Sequence, residues 1–309
     1  MRRQDRGVAL VLVLGAVVLL TLLAVELAST ASVSWLRMTR TARDAAFRRL
    51  VDSASEVARG LIAEPEPVFV THWGQKWNCE ILFSLRPGEG ASVRLEDESG
   101  KLNIAQAISH PAQSVAIAEA VVRLFSYLAR HEGRGESFWR AVARRVLDRI
   151  SYRDPLLTLD GLRETGLDSE LLFGPNGVSR YLTCFGDGRI NLNTAPRPVL
   201  ASLDSDLDDE MIERIAHYRG KGEGESGSYK VFQTPEDLIL VEGIVNRSVG
   251  ADGQARTKRS LLEKVQGLVT VRSDCWGARI AATTEGRSRL AWAFFLPDGT
   301  RLTLEELLP

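Results

Sequence analysis

The amino terminus decides the fold: residues 1–25 read MRRQDRGVALVLVLGAVVLLTLLAV. A short basic head, residues 1–7, precedes an uninterrupted apolar run at residues 8–25, in which Thr21 is the one hydroxyl-bearing residue. At a rise of about 1.5 Å per residue, a helix over this run extends roughly 27 Å, close to the hydrocarbon thickness of a bilayer. Arginines before the run favour a cytoplasmic amino terminus. We therefore predict one membrane-spanning helix, with the rest of the chain beyond the membrane.

The helical pattern continues through residues 26–62, which contain no glycine before Gly60. Small or apolar residues recur there every three to four positions, as on one face of a helix. They are Ala31, Trp35, Met38, Ala42, Ala46, Leu50, Ala54, Val57 and Leu61. Pro65 and Pro67 then break the pattern. We predict one helix over residues 8–62, about 80 Å long, with a membrane half and an amphipathic half.

From the residues alone, three interpretations of this segment remain open. The first is a secretory signal peptide cleaved near Ser29-Thr30-Ala31, although the apolar run is long for that class. The second is a plain membrane anchor. The third is the membrane half of a single long helix, whose amphipathic half is formed by residues 26–62.

The junction of Arg6-Gly7 with an apolar run that begins at Val8, followed by the long amphipathic continuation, resembles the type IV pilin and pseudopilin family. The resemblance implies that a membrane peptidase cleaves between Gly7 and Val8 and that the new amino terminus is methylated. That family usually has glutamate at the fifth mature position, where this sequence has Leu12. On the same resemblance, we expect Val8, Leu12 and Leu19 to take part in assembly.

Strand-like stretches flank a helical middle. Those before it are residues 79–85, 92–96 and 101–104, and those after it are residues 268–272, 278–284 and 290–296. Residues 105–264 follow a helical pattern, most clearly at 114–130 and 138–150. The sequence therefore predicts an α+β fold: a small sheet domain made of residues 63–104 and 265–309, with residues 105–264 inserted as an all-helical domain.

Two short segments share the scheme glycine, basic, aliphatic, asparagine, aliphatic. They are Gly100-Lys101-Leu102-Asn103-Ile104 and Gly188-Arg189-Ile190-Asn191-Leu192. Each predicts a glycine turn, a short extended piece and then an asparagine that can cap the backbone amides of a following helix.

A set of motifs follows in one order along the chain, at residues 160–172, 180–183, 190–203, 218–219, 229–238, 242–244 and 269–273. Together they resemble the K-class minor pseudopilins of type II secretion, the GspK family. That resemblance implies a pilin-type α/β domain with an inserted helical domain of helix-hairpin-helix (SAM-like) type. The family commonly lacks the glutamate at the fifth mature position, so Leu12 agrees with it.

The same resemblance implies a function in assembly rather than catalysis. It places the protein at the tip of a periplasmic pseudopilus, where it initiates or caps assembly and helps export folded proteins. The implied partners are the I- and J-class minor pseudopilins, the prepilin peptidase and the secretion machinery. The implied location is the bacterial inner membrane, with a single pass, a cytoplasmic amino terminus and a periplasmic head.

A helix-hairpin-helix of the kind found in DNA-uptake proteins is the alternative, because residues 190–243 are also similar to it. Such a module offers backbone amides to a phosphate at a glycine hairpin. Here the first hairpin, residues 203–210, is acidic and the second, residues 243–245, keeps one glycine. The chain has 39 basic and 40 acidic residues, so its net charge of −1 gives no general attraction to nucleic acid. We expect no nucleic-acid partner.

The sequence favours neither a metal site nor an active site. Asp204, Asp206 and Asp208 match three calcium-loop positions, but Asp209 stands where that loop needs glycine and Ile215 where it needs glutamate. Residues 222–227 fit G-x-G-x-x-G without a strand before them, so we predict a flexible loop there. The four histidines share no ligand spacing, and no catalytic signature occurs. We predict no enzymatic activity and no certain cofactor; calcium is implied only by the family, with unknown ligands.

Cysteines and tryptophans give weaker indications. Cys79, Cys184 and Cys275 allow at most one disulfide, and the sequence does not say which pair would form it. Trp73 and Trp77 are four residues apart, and we favour packing against the long helix over an exposed contact patch.

Overall fold

The computed structural model describes residues 3–63, 70–152, 154–220, 230–241, 247–249, 255–257 and 259–307. Its α-helices are α1 (Arg3–Ile62), α2 (Gln106–Ser109), α3 (Ser114–His131), α4 (Glu136–Ser151), α5 (Ser169–Phe173), α6 (Arg197–Leu203), α7 (Asp209–Tyr218) and α8 (Arg259–Val265). Its strands are β1 (Glu80–Arg86), β2 (Glu89–Asp97), β3 (Leu102–Asn103), β4 (Leu182–Thr183), β5 (Ile190–Asn191), β6 (Arg247–Val249), β7 (Ala255–Thr257), β8 (Val269–Thr270), β9 (Trp276–Thr284), β10 (Arg287–Phe295) and β11 (Arg301–Leu307).

The predicted long helix is confirmed as α1, which spans 60 residues without a break. At about 1.5 Å per residue it is roughly 90 Å long. Within the described residues, α1 is the one helix long and apolar enough to cross a membrane, and its apolar window is fully exposed. It ends at Ile62; Pro65 and Pro67, predicted to break it, lie outside the described residues.

A five-stranded antiparallel sheet with the order β1-β2-β9-β10-β11 forms the head. β2 pairs with β9 from Glu89↔Thr284 to Asp97↔Trp276, so strands from both ends of the chain share one sheet, as predicted. The edge strand β11, which pairs with β10, was not predicted. Its sequence contains the acidic pair Glu305-Glu306, and glutamate is under-represented in strands.

The two faces of the sheet pack on different partners because successive side chains of a strand point to opposite sides. One face covers the second half of α1; its core includes Phe47, Leu50, Val51, Ala54, Val93, Leu95, Ile280 and Phe295. On the other face, Trp292 and Phe294 of β10 belong to the core of the helical segment. The sheet therefore forms a middle layer between α1 and the inserted helices.

The helical segment is built on an α3–α4 pair. Trp139 and Phe125, both fully buried, stack at a centroid distance of 5.8 Å. α6 packs against α3, and its own neighbour α7 follows after a short acidic turn.

The expectation of an all-helical insertion is wrong in one respect. β4 and β5 lie inside residues 105–264 and pair in parallel with β3 and β8, and β6 and β7 form a small antiparallel pair. The predicted strands at residues 101–104 and 268–272 therefore join the insertion rather than the main sheet. The physical reason is that the two glycine–asparagine segments are extended, so each offers backbone groups that a neighbouring extended segment satisfies.

Candidate assembly interface

Two of the predicted assembly residues, Leu12 and Leu19, have exposed side chains on α1. Gly7 and Val8 are within α1, and the side chains of Leu12 and Leu19 are 69% and 60% exposed. In an isolated subunit such a surface is satisfied by lipid or by another helix, because water would make its exposure costly.

The apolar face of α1 divides near residue 45. From Ala46 onward the face is buried against the sheet, with Leu50 completely inaccessible. Before that point, Trp35 and Met38 remain 64% and 63% exposed, together with Val33 and Leu36. The predicted amphipathic stripe is therefore half packed and half open. The open half continues the exposed apolar run of α1 toward the head.

Ion pairs connect α1 to the turns of the sheet. Arg43 contacts Glu285 at 2.7 Å, and Asp44 contacts Arg289 at 2.8 Å. Arg289 also lies over the ring of Phe47, 5.2 Å from its centroid. Exposed pairs of this kind add little stability individually, so the buried apolar contacts hold the helix to the head and the ion pairs fix its register. Nothing in the spacing of these residues in the sequence predicts the pairs.

A buried carboxylate joins the sheet to the insertion. Asp97, at the end of β2, accepts hydrogen bonds from the amide nitrogen of Asn191 (2.7 Å), the hydroxyl of Thr194 (2.6 Å) and the backbone of Ser99 (2.9 Å). Burial raises the pKa of Asp97, although these hydrogen bonds oppose the shift. The contact spans about a third of the chain, so sequence reasoning did not find it.

The two repeated asparagines accept from backbone amides as predicted, but neither caps a helix. Asn103 accepts from the backbone of Ala105 (3.0 Å), and Asn191 accepts from the backbone of Asn193 (3.0 Å). The helices that follow, α2 and α6, begin after Ala105 and Pro196, and neither start has a side-chain cap. Each asparagine also donates to a distant segment: Asn103 to the carbonyl of Phe185 at 2.9 Å, and Asn191 to Asp97. The Asn103 contact lies within the insertion, and the Asn191 contact joins the insertion to the main sheet.

Lys101, in the first repeated segment, is a buried cation between two carboxylates. Its ammonium lies 2.7 Å from Glu96 and 2.7 Å from Glu98, and its side chain is 6% exposed. Burial alone would lower the pKa of Lys101, but the two carboxylates raise it above its usual value. Burial raises the pKa of Glu98, because only part of that cost is offset by Lys101. The three charged groups pair with one another, so we interpret the cluster as structural.

The acidic stretch at residues 203–210 has structural partners. Asp208 caps α7 by accepting from the backbone of Met211 at 2.8 Å, and Asp206 pairs with Lys264 at 2.9 Å. Asp209 contacts Arg130 and His131; partial burial opposes the shift, yet these hydrogen bonds lower its pKa. The acids point to different partners and converge on no common centre. Within the described ranges, no group of three histidine, cysteine or acidic side chains could hold a metal ion.

Several predicted features fall beyond the described residues. The G-x-G-x-x-G segment at residues 222–227 and the second hairpin at residues 243–245 lie outside them. The first hairpin, by contrast, is present as the turn between α6 and α7, with its carboxylates engaged as helix cap and ion pairs.

The tryptophan prediction is confirmed. Trp77 is 7% exposed in the core beneath α1, and its ring lies 4.9 Å from that of Trp276. Trp73 is half-buried and lies 5.4 Å from Trp77. Cys275 is buried and Cys79 exposed, both as free thiols, and burial raises the pKa of Cys275.

Comparison with known proteins finds a solved structure with a similar fold. No family model and no curated protein sequence matches the chain. Among solved structures, it matches a chain of the GspK-GspI-GspJ complex from the enterotoxigenic Escherichia coli type 2 secretion system, with a TM-score of 0.59 and 15% sequence identity. The match covers 87% of this chain and 100% of that chain. At this identity the likeness establishes a common fold, and this chain is therefore a protein with the fold of a component of a type II secretion pseudopilin complex.

Proposed function

We propose that this chain is a minor pseudopilin of a type II secretion machine, located at the tip of the periplasmic pseudopilus. The observation that carries the proposal is the fold shared with a component of the GspK-GspI-GspJ complex over 87% of the chain. The 60-residue helix supports it, because its exposed apolar half provides the surface that a helical filament needs.

The tip position rests on Leu12 and on the size of the head. In the pilin family, an acidic side chain at this position neutralises the amino terminus of a neighbouring subunit. Leu12 cannot do so, and an acid in the apolar run would cost roughly 2.5–3.5 kcal/mol at the centre of a bilayer and less near its edge. A tip subunit has no neighbour above it, so leucine is the less costly residue. The inserted helices also widen the head, which disfavours further subunits stacked above it.

The remaining features of the proposal follow from the family resemblance. The prepilin peptidase cleaves between Gly7 and Val8, and the mature amino terminus is methylated. The protein crosses the inner membrane once, with its amino terminus in the cytoplasm and its head in the periplasm. Its partners are the I- and J-class minor pseudopilins, and its role is structural rather than enzymatic.

Co-expression of the full chain with I- and J-class pseudopilins tests the tip position. We expect a stable ternary complex, no homopolymer, and no gain in assembly from Leu12→Glu. Homopolymeric filaments, or better pseudopilus formation by the glutamate variant, would contradict the tip position. Trp35→Glu on the open half of α1 should weaken the complex, while Leu82→Glu, on the exposed edge strand β1, serves as the matched control.

The alternative is a membrane-tethered DNA-binding protein that uses residues 190–243. It predicts salt-dependent binding of duplex DNA by the full chain. The carboxylates in the first hairpin oppose this function, since Asp208 and Asp209 lie at the helix start where a phosphate would have to approach.

A further inference from the structure

Two cavities lie side by side between the sheet and the helical segment. Their volumes are about 570 and 370 Å³. Both are lined by Trp73, Arg180, Thr194 and Pro196, so they form one continuous depression, which we call the junction groove. None of the residues that line it belongs to α1.

Most acidic side chains of the junction groove already have partners. Glu213 pairs with Arg197 at 2.6 Å, Glu132 accepts from the hydroxyl of Tyr181 at 2.7 Å, and Glu96 pairs with Lys101. The charges of Glu213 and Glu96 are therefore offset by cations of the groove itself, whereas Glu132 is hydrogen-bonded to a neutral hydroxyl and keeps its charge.

Four arginines in the same groove have no carboxylate within ion-pair distance in the described part of the chain. They are Arg94, Arg180, Arg219 and Arg279. Arg219 donates to the carbonyl of Leu192 at 2.7 Å and Arg279 to that of Phe173 at 3.2 Å, while Arg94 and Arg180 are exposed. Arginine forks bind carboxylates in paired hydrogen bonds, and here those donors remain available.

The environment of Arg219 also favours the binding of a carboxylate. Burial, with the nearby charge of Arg197, lowers its pKa to about 10, so it stays cationic at neutral pH, and no carboxylate of the described residues lies within ion-pair distance of it. An incoming carboxylate would supply a counter-ion and would find a site from which water is partly excluded.

The lining also indicates the kind of anion. Trp73 and Pro196 provide apolar surface between the cations, which suits the backbone and side chains of a peptide. Glu132 interrupts the positive surface, so a contiguous polyphosphate or nucleic acid would meet more repulsion than a peptide whose carboxylates are spaced apart.

We propose that the junction groove binds an acidic peptide segment of a partner protein, with its carboxylates on Arg180 and Arg219 and its apolar side chains against Trp73. This inference goes beyond the proposed place in the pseudopilus and does not rest on it.

Fluorescence anisotropy tests the proposal with the full chain in detergent micelles. The probe is a fluorescein-labelled peptide in which glutamate alternates with alanine around a central tyrosine, and its control carries glutamine at every glutamate. The variant is Arg180→Glu, at an exposed position, and the matched control is Arg287→Glu, an exposed arginine that lines neither cavity. Circular dichroism confirms that each variant is folded.

We expect saturable, salt-sensitive binding of the glutamate peptide and at least about tenfold weaker binding of the glutamine peptide. Arg180→Glu should weaken binding about tenfold, and Arg287→Glu less than about twofold. The proposal is overturned if both peptides bind equally, if Arg287→Glu has the effect of Arg180→Glu, or if no saturable binding occurs. It is also overturned if tripolyphosphate or duplex DNA displaces the probe more effectively than the unlabelled acidic peptide does.

Discussion

Replacing Lys101 by methionine should destabilise the head strongly, because it leaves two carboxylates without their cation. Lys101 contacts Glu96 and Glu98 at 2.7 Å each, with 6% of its side chain and 3% of that of Glu98 exposed. Removing one partner of a buried ion pair costs about 3–5 kcal/mol. The free energy of unfolding of a domain is typically about 5–15 kcal/mol, so Lys101→Met should remove a large share of it.

The pH dependence of this variant has a definite sign. Burial raises the pKa of Glu98 even beside Lys101, and without the cation both carboxyl groups take up protons more readily in the folded state. A carboxyl whose folded pKa is raised destabilises the fold above that pKa, and the penalty disappears as the pH falls through it. The stability gap between Lys101→Met and the wild type should therefore narrow from neutral to mildly acidic pH.

Urea unfolding of the full chain in detergent micelles, followed by tryptophan fluorescence, measures both effects. Lys264→Met serves as the control, since the Lys264–Asp206 pair is exposed and should contribute little. Adding Glu98→Gln to Lys101→Met should restore part of the lost stability. A loss below about 1 kcal/mol at neutral pH, or a gap that widens on acidification, would refute the reasoning.

Three further predictions concern the core, the junction and processing. Leu50→Ala should reduce the free energy of unfolding by about 2–5 kcal/mol, because it empties a fully buried site between α1 and the sheet, while the exposed Met38→Ala should change it by less than about 0.5 kcal/mol in the same urea assay. Asn191→Ala should cost roughly 2–4 kcal/mol by leaving Asp97 and the backbone of Asn193 short of partners, measured by thermal unfolding. Gly7→Leu should block processing but leave membrane insertion intact, as seen by gel mobility after membrane fractionation.

Each of these has a contradicting result. Equal effects of Leu50→Ala and Met38→Ala would mean that α1 does not pack on the sheet as described. If Asn191→Ala leaves the thermal stability unchanged, the hydrogen bonds of Asn191 do not stabilise the head. Normal maturation of Gly7→Leu would count against processing at that glycine.

The elements that a local pattern controls could be predicted from the sequence. The apolar run and its amphipathic continuation predict α1, because a helix of this kind is visible in the local pattern of apolar residues. The two repeated asparagines predict bonds to nearby backbone amides, because an asparagine reaches amides only a few residues away, but the predicted helix caps do not form.

The features that depend on distant residues could not be predicted. The Asp97 contacts with Asn191 and Thr194 join segments that are separated by most of the insertion, so no local pattern encodes them. Trp35 and Met38 fit the same stripe as Leu50, yet only Leu50 lies where the sheet can cover it. Whether an apolar face is buried depends on the neighbouring element, which spacing alone does not reveal.

The mature amino-terminal residue, measured by mass spectrometry on protein purified from membranes of its bacterial host, tests the central claim most directly. The account predicts a chain that begins at Val8 with a methylated amino group, because a pseudopilin is cleaved after Gly7 and keeps its apolar helix. A chain that begins near Ser32 would contradict it, since cleavage there removes the membrane half of α1 and leaves no helix to build a pseudopilus.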